Sequence, residues 1–221
     1  MKLVWGLRPK FSFLMSLVYL TVISGGFFVA GAIGNHSIEL WYLLWNLFLA
    51  WVPVLLTLWL VNVIREKPWS SWQGLTLTFL WLSFLPNSFY LVSDLIHLQD
   101  YQRVDIVYDT IMFSSFSLTG LLLGYTSLYL VHKELIKRVM AKTAWIWAGI
   151  VLLLCSFAIY LGRDLHWNTW DVLVNPGGIL FDVSDIIIHP SLHYLAFTTT
   201  LAFFVFLSSM YVVAWQLKRE S

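Results

Sequence analysis

Three histidines stand where a metal ion would be held. His97 follows one apolar run, and His189 and His193 sit four residues apart at the head of another. Residues four apart share a helix face, so His189 and His193 would present two imidazoles to one ion, as zinc-binding helices do. Ser93 precedes His97 by the same interval, Asp94 is adjacent, and Asp109 lies at the start of the next apolar run. A zinc centre of His97, His189 and His193 with an open fourth position would activate a bound water. Ser93, Asp94 and Asp109 are then the candidate catalytic side chains, a carboxylate serving as base or orienting an imidazole. The plainer reading is that water and lipid headgroups satisfy these histidines at a membrane surface.

A second group of residues is suited to binding. Arg163 and Asp164 are followed by Trp167, Asn168, Trp170 and Asp171. A guanidinium flanked by tryptophan can hold a lipid phosphate or another acidic headgroup. Arg163, Asn168, Trp170 and Asp171 are therefore candidate substrate-binding residues, and pairing of Arg163 with Asp164 or Asp171 is the structural alternative. Asn87 follows the helix-breaking Pro86 and is expected to satisfy freed backbone groups or to orient a substrate carbonyl. The single cysteine, Cys155, lies in an apolar run and excludes both an intramolecular disulfide and a multi-thiolate metal site.

The elements that must position these residues are membrane helices. The chain has 221 residues, 59% apolar and 11% charged, against about 45–50% and 25% in soluble domains. Spanning a bilayer takes about 20 apolar residues in a helix. Six stretches qualify, at about 11–33, 40–64, 71–92, 106–131, 144–161 and 192–215. The first is too long for the apolar core of a signal peptide and is expected to be retained. The fold class is thus all-α, a single polytopic membrane domain of six transmembrane helices.

Orientation follows from charge. Lys2, Arg8, Lys10, Arg65, Lys67, Lys133, Lys137, Arg138, Lys142, Lys218 and Arg219 make 11 of the 13 basic residues, and all fall at the termini or in the second and fourth loops. Arg103 and Arg163 alone fall in the first, third and fifth loops, where nine of the acids collect. The positive-inside rule then places both termini in the cytoplasm. The third loop, Ser93–Asp105, and the fifth, from Gly162 to about His189, are long and face outward. The fifth includes apolar stretches and is expected to lie along the interface or re-enter the bundle. The cytoplasmic loops are short, with no Gly-rich phosphate loop, and no nucleic-acid partner is expected. Pro53 should kink the second span and Pro86 should break the third. Gly120-x-x-x-Gly124 should let a second backbone approach, by internal packing or in a homo-oligomer seam.

The run Pro86-Asn87-Ser88-Phe89-Tyr90-Leu91-Val92-Ser93-Asp94-Leu95-Ile96-His97-Leu98 resembles the signature of an uncharacterised bacterial membrane family, the domain-of-unknown-function family 1361. Trp167-Asn168-Thr169-Trp170-Asp171 with Asn175-Pro176 is a second family-like stretch. The chain departs from the signature at Phe89, where proline is expected, and at Ser93, where threonine is usual. The resemblance implies a multi-pass membrane protein and supplies no activity. The order Ser-x-x-x-His, Asp, His-x-x-x-His is also similar to the zinc-dependent membrane hydrolases typified by alkaline ceramidases and adiponectin receptors. Those proteins have seven spans and different flanking residues, and here Pro190 directly follows His189.

The leading expectation is a metal-dependent hydrolase of the bacterial cell membrane. It would act on a lipid-like substrate at the extracytoplasmic face, with membrane lipid as its partner and zinc as its cofactor. A non-enzymatic assembly factor and a small transporter are the alternatives.

Overall fold

The computed structural model describes residues 11–36, 38–99 and 106–220. Lys2, Arg8, Lys10 and Arg103, with the third loop from Asp100 to Asp105, lie outside the described residues. Among the described residues there is no strand. The helices are α1 (Phe11–Asn35), α2 (Trp41–Glu66), α3 (Trp72–Ser93), α4 (Ile106–Ile136), α5 (Ala141–Asp164), α6 (Asp171–Val174), α7 (Pro176–Ile188) and α8 (Tyr194–Glu220), with a short 3₁₀ helix over Asp94–Gln99 after α3. Six of them, α1 to α5 and α8, are long and apolar enough to cross a membrane, so the protein is a multi-pass membrane protein.

α4 and α3 differ from the sequence reading in ways that bear on the site. α4 runs five residues beyond the expected Val131 to Ile136. Its 31 residues span about 46 Å at 1.5 Å per residue, more than the hydrocarbon core requires, so its last turn carries Lys133 and Glu134. Pro86 does not break α3, which runs on to Ser93. The ring removes one backbone donor from the ladder, and the Asn87 amide nitrogen donates to the Phe84 carbonyl (3.1 Å), adding a side-chain bond at that point.

The chain divides into two compact units, Met1–Glu134 and Leu135–Ser221. In the first, α2 and α3 lie side by side. Leu17 of α1, Leu43, Leu47, Ala50 and Val54 of α2, Leu91 of α3 and Met112, Phe113, Phe116 and Leu123 of α4 form one buried cluster. Lipid tails are as apolar as these side chains, so close packing and interhelical hydrogen bonds must hold the helices together. Ser88 donates to the Ala50 carbonyl (2.9 Å) and Ser117 to the Leu91 carbonyl (2.7 Å), while Ser24 and Thr119 meet at 3.1 Å. Ser127 donates to the carbonyl of Pro53 (3.1 Å) and accepts from Trp81 Nε1 (2.7 Å), with the Thr57 hydroxyl at 2.8 Å. Because Ser127 has one proton and spends it on Pro53, Thr57 is the donor in that last contact.

The glycines of α4 serve the same packing. A Cβ on Gly120 would strike the Ser88 carbonyl oxygen and Leu91, and one on Gly124 would meet the Phe89 ring at 2.6 Å. The Gly120/Gly124 face is thus filled by α3 of the same chain.

In the second unit α5 packs on α8. Tyr160 of α5, Ile186 of α7 and Ala196 of α8 form a small core with Phe157, Leu161 and Leu165 around it. Trp145, Tyr211 and Trp215 cluster toward the other ends of α5 and α8, with ring centroids 5.3–6.3 Å apart. The fifth loop, expected to hug the interface, folds as α6 and α7. Asn175 caps α7 by accepting from the Gly178 N–H (3.1 Å), and Pro176 sits in its first turn.

Candidate functional site

In the first unit the switch from α3 to the 3₁₀ helix sets the register of the polar side chains. At three residues per turn, positions three apart eclipse one another. Asp94 and His97 therefore share a face, whereas the Ser93 and His97 pairing expected from α-helical spacing crosses the junction between the two helices. His97 lies within electrostatic reach of the Asp94 carboxylate. α2 holds this face at two points one turn apart. The Tyr42 ring meets His97 edge-on (centroids 5.9 Å), and the Asn46 amide nitrogen donates to Asp94 Oδ2 (3.1 Å).

Asp94 is only 2% exposed. Among the described residues its hydrogen bond comes from the neutral Asn46 amide, and it forms no ion pair with Lys or Arg. Asn46 and Tyr42 were not singled out from the sequence. The available signal was an amide placed in an otherwise apolar stretch, Leu43–Val54, four residues after a tyrosine.

The remaining candidates of this unit are placed as follows. Ser93 is buried, and its hydroxyl donates to the Tyr90 carbonyl of its own helix (2.7 Å), so its proton is committed to backbone. Asp109 is 5% exposed in the first turn of α4, where the helix dipole favours a carboxylate. Asn87 bonds the Phe84 carbonyl, the backbone role expected after proline.

In the second unit His189 and His193 are not on one helix. His189 terminates α7, and His193 lies just before α8, across the turn through Pro190. They converge by another route. Asp185 Oδ1 meets His189 Nδ1 at 2.9 Å, and Asp185 Oδ2 meets His193 Nε2 at 2.8 Å. These two bonds hold the Asp185 carboxyl below the usual carboxylate range. Arg163, in the last turn of α5, pairs with the adjacent Asp164 (3.2 Å). The Asn168 backbone N–H donates to Asp171 Oδ2 (2.7 Å), and Trp167 Nε1 donates to Asp182 (2.8 Å). Trp170 is exposed. The binding candidates of this segment thus make local contacts that shape the segment itself.

Residues 45–210 match the family described as protein of unknown function, DUF1361. The chain belongs to that family. No curated protein and no solved structure matches it. The DUF1361 match spans both units and takes in the Pro86–Leu98 run, the Trp167–Asp171 run, His189 and His193.

The metal expectation for this DUF1361 chain meets a different geometry. Among the described residues no group of three or more His, Cys, Asp or Glu is placed to hold a metal ion. His189 and His193 each have one ring nitrogen on Asp185, and His97 lies against Tyr42 and near Asp94 in the first unit. The three expected zinc ligands are divided between the two units, His97 in the first and His189 and His193 in the second. What the first unit does hold is a buried carboxylate with a half-buried amide and a half-buried imidazole beside it.

Proposed function

We propose that this membrane protein is a hydrolase of the bacterial cell membrane that uses Asp94 and His97 as an acid–base pair. The observation that carries the reading is a carboxylate 2% exposed at the end of a membrane helix, faced by a neutral amide and an imidazole. Ionisable groups so placed in a membrane protein are expensive, and function is the default reason to keep them. Asn46 fixes one carboxylate oxygen, and the imidazole sits on the same 3₁₀ face. A proton can pass between such groups and a water directed at an ester or phosphoester bond.

The substrate class follows from the surroundings. Trp41, Trp45 and Phe48, beside Tyr42 and Asn46 on α2, are exposed, and aromatic rings of that kind favour headgroup depth. A lipid-like substrate would present its polar linkage at that depth. The charge pattern assigns this end of the helices to the extracytoplasmic side.

The test is turnover by the full-length protein in liposomes made from membrane lipid extract, followed by mass spectrometry of the lipids. A headgroup or acyl product should accumulate, and Asp94→Asn should slow it by about 10²–10⁴-fold, the contribution of a positioned acid–base group. Turnover unchanged in Asp94→Asn would remove this pair from the chemistry. Proton or ion flux without lipid turnover would replace the hydrolase with the small-transporter reading.

A further inference from the structure

α7 is apolar on the outward face, where a helix at a water surface would be polar. Leu180, Phe181, Ile187 and Ile188 are between 64% and 73% exposed. With Ser184 they fall at helical spacing on one outward stripe. The opposite stripe carries Ile179, Asp182, Val183 and Ile186, turned toward the rest of the unit. Ile186 is in its core. A surface helix in water places its carboxylates outward and its aliphatic side chains inward. Here Asp182 is half-buried and accepts from Trp167 Nε1, and Asp185 is bonded to His189 and His193.

The polar member of the outward stripe gives a second, independent indication. Ser184 donates its hydroxyl to the Leu180 carbonyl one turn earlier (2.6 Å), which hides the proton from its surroundings. The exposed apolar surface continues into Leu173 and Val174 of α6 and Leu192 and Tyr194 at the start of α8. α7 connects two membrane-spanning helices, yet its 13 residues reach only about 20 Å, too short to cross.

We infer that α7 lies in the bilayer interface, with Leu180, Phe181, Ile187 and Ile188 against the acyl chains of the leaflet. The occupant of this face is lipid. A contiguous apolar patch is costly in water, whereas an amphipathic helix buries such a stripe at the boundary between headgroups and acyl chains. Asp182 on the other stripe and Asp185 on the flank fasten the helix to Trp167 and to the turn before α8. This inference is independent of the Asp94 and His97 chemistry.

The test uses the full-length protein, with Cys155 replaced by serine, in phosphatidylcholine nanodiscs. A fluorescent thiol label is placed at Leu180→Cys, Phe181→Cys or Ile188→Cys in turn. Trp59→Cys, exposed within the span formed by α2, is the lipid reference, and Lys142→Cys, exposed at the start of α5, is the aqueous one. Doxyl-labelled lipid should quench the three α7 labels as it quenches the Trp59→Cys label, and iodide should leave them bright. Quenching by iodide to the level of Lys142→Cys would overturn the inference, because the stripe would then face water. Protection from both quenchers would overturn it too, showing that protein, such as a second copy, covers the stripe. Each label replaces an exposed side chain, so folding is retained, and size-exclusion elution matching the parent protein confirms it.

Discussion

Ser127 joins three membrane helices through a complete set of hydrogen bonds. It accepts from Trp81 and Thr57 and donates to the carbonyl of Pro53, and all three side chains are buried. Ser127→Ala leaves the Trp81 N–H and the Thr57 hydroxyl without their acceptor in an apolar interior, at a cost of about 1–3 kcal/mol. Unfolding of the purified protein in mixed micelles should show that loss, and Ser127→Thr, which keeps the hydroxyl, should recover part of it. A different residue-scale prediction concerns Asp185, whose carboxyl is held low by His189 and His193. A carboxylate with a lowered folded-state pKa contributes stability that is present above its unfolded pKa, about 3.9. That contribution is lost as pH falls through the lowered value. Backbone hydrogen exchange in the turn His189–Ala196 should therefore accelerate only in strong acid. Asp185→Asn should bring the faster exchange to neutral pH. Identical exchange in the two proteins at neutral pH would show that the carboxylate does not hold the turn.

At the scale of elements, the glycines of α4 separate tight approach from open space. A Cβ at Gly120 meets backbone of α3, which cannot yield as a side-chain tip can. Gly120→Ala should destabilise the first unit by about 1–3 kcal/mol, the usual cost of overpacking. Gly149, with nothing near its Cβ position, offers the control: Gly149→Ala should be neutral or stabilising by about 0.5–1 kcal/mol through helix propensity. Equal effects in a steric-trapping measurement would mean that α3 and α4 are not packed through this face. The same contrast explains what the sequence made legible. Six spans could be read because a run of apolar residues is itself the condition for crossing lipid. The partner of the Gly120/Gly124 face could not, because spacing fixes a face and not its neighbour. α7 was hidden behind Pro176-Gly177-Gly178, which reads as loop until Asn175 is seen to cap it. The register of the candidate residues was not legible in their spacing. Ser93 and His97 are four apart, but the helix tightens at Asp94, and three-residue spacing brings Asp94 and His97 together instead. For His189 and His193, Pro190 ends one helix, and a shared carboxylate one turn upstream unites the rings.

The whole molecule is organised by charge along the membrane normal. Of its 13 basic residues, 11 fall in the termini and the second and fourth loops, and the acids gather in the other three. Lysine and arginine resist translocation across the membrane, so this alternation fixes the orientation of all six spans at once. Asp94 and Asp109 lie at the α3 end and the α4 start, and Asp182 and Asp185 lie between α5 and α8. By the positive-inside rule both sets are expected on the face opposite the termini. A single-cysteine survey can test this, because the native Cys155 is 1% exposed and silent to an impermeant thiol reagent. In intact cells, cysteines introduced at His36 and Thr169 should be labelled from outside, and one introduced at Ser221 should react only after the membrane is opened. Replacing Lys133, Lys137, Arg138 and Lys142 by glutamine should erode the signal of the fourth loop, so that the cysteine at position 169 becomes partly protected. Labelling of the cysteine at position 221 in sealed cells would invert the orientation and move the buried Asp94 corner to the cytoplasmic side, and with it the leaflet in which α7 lies.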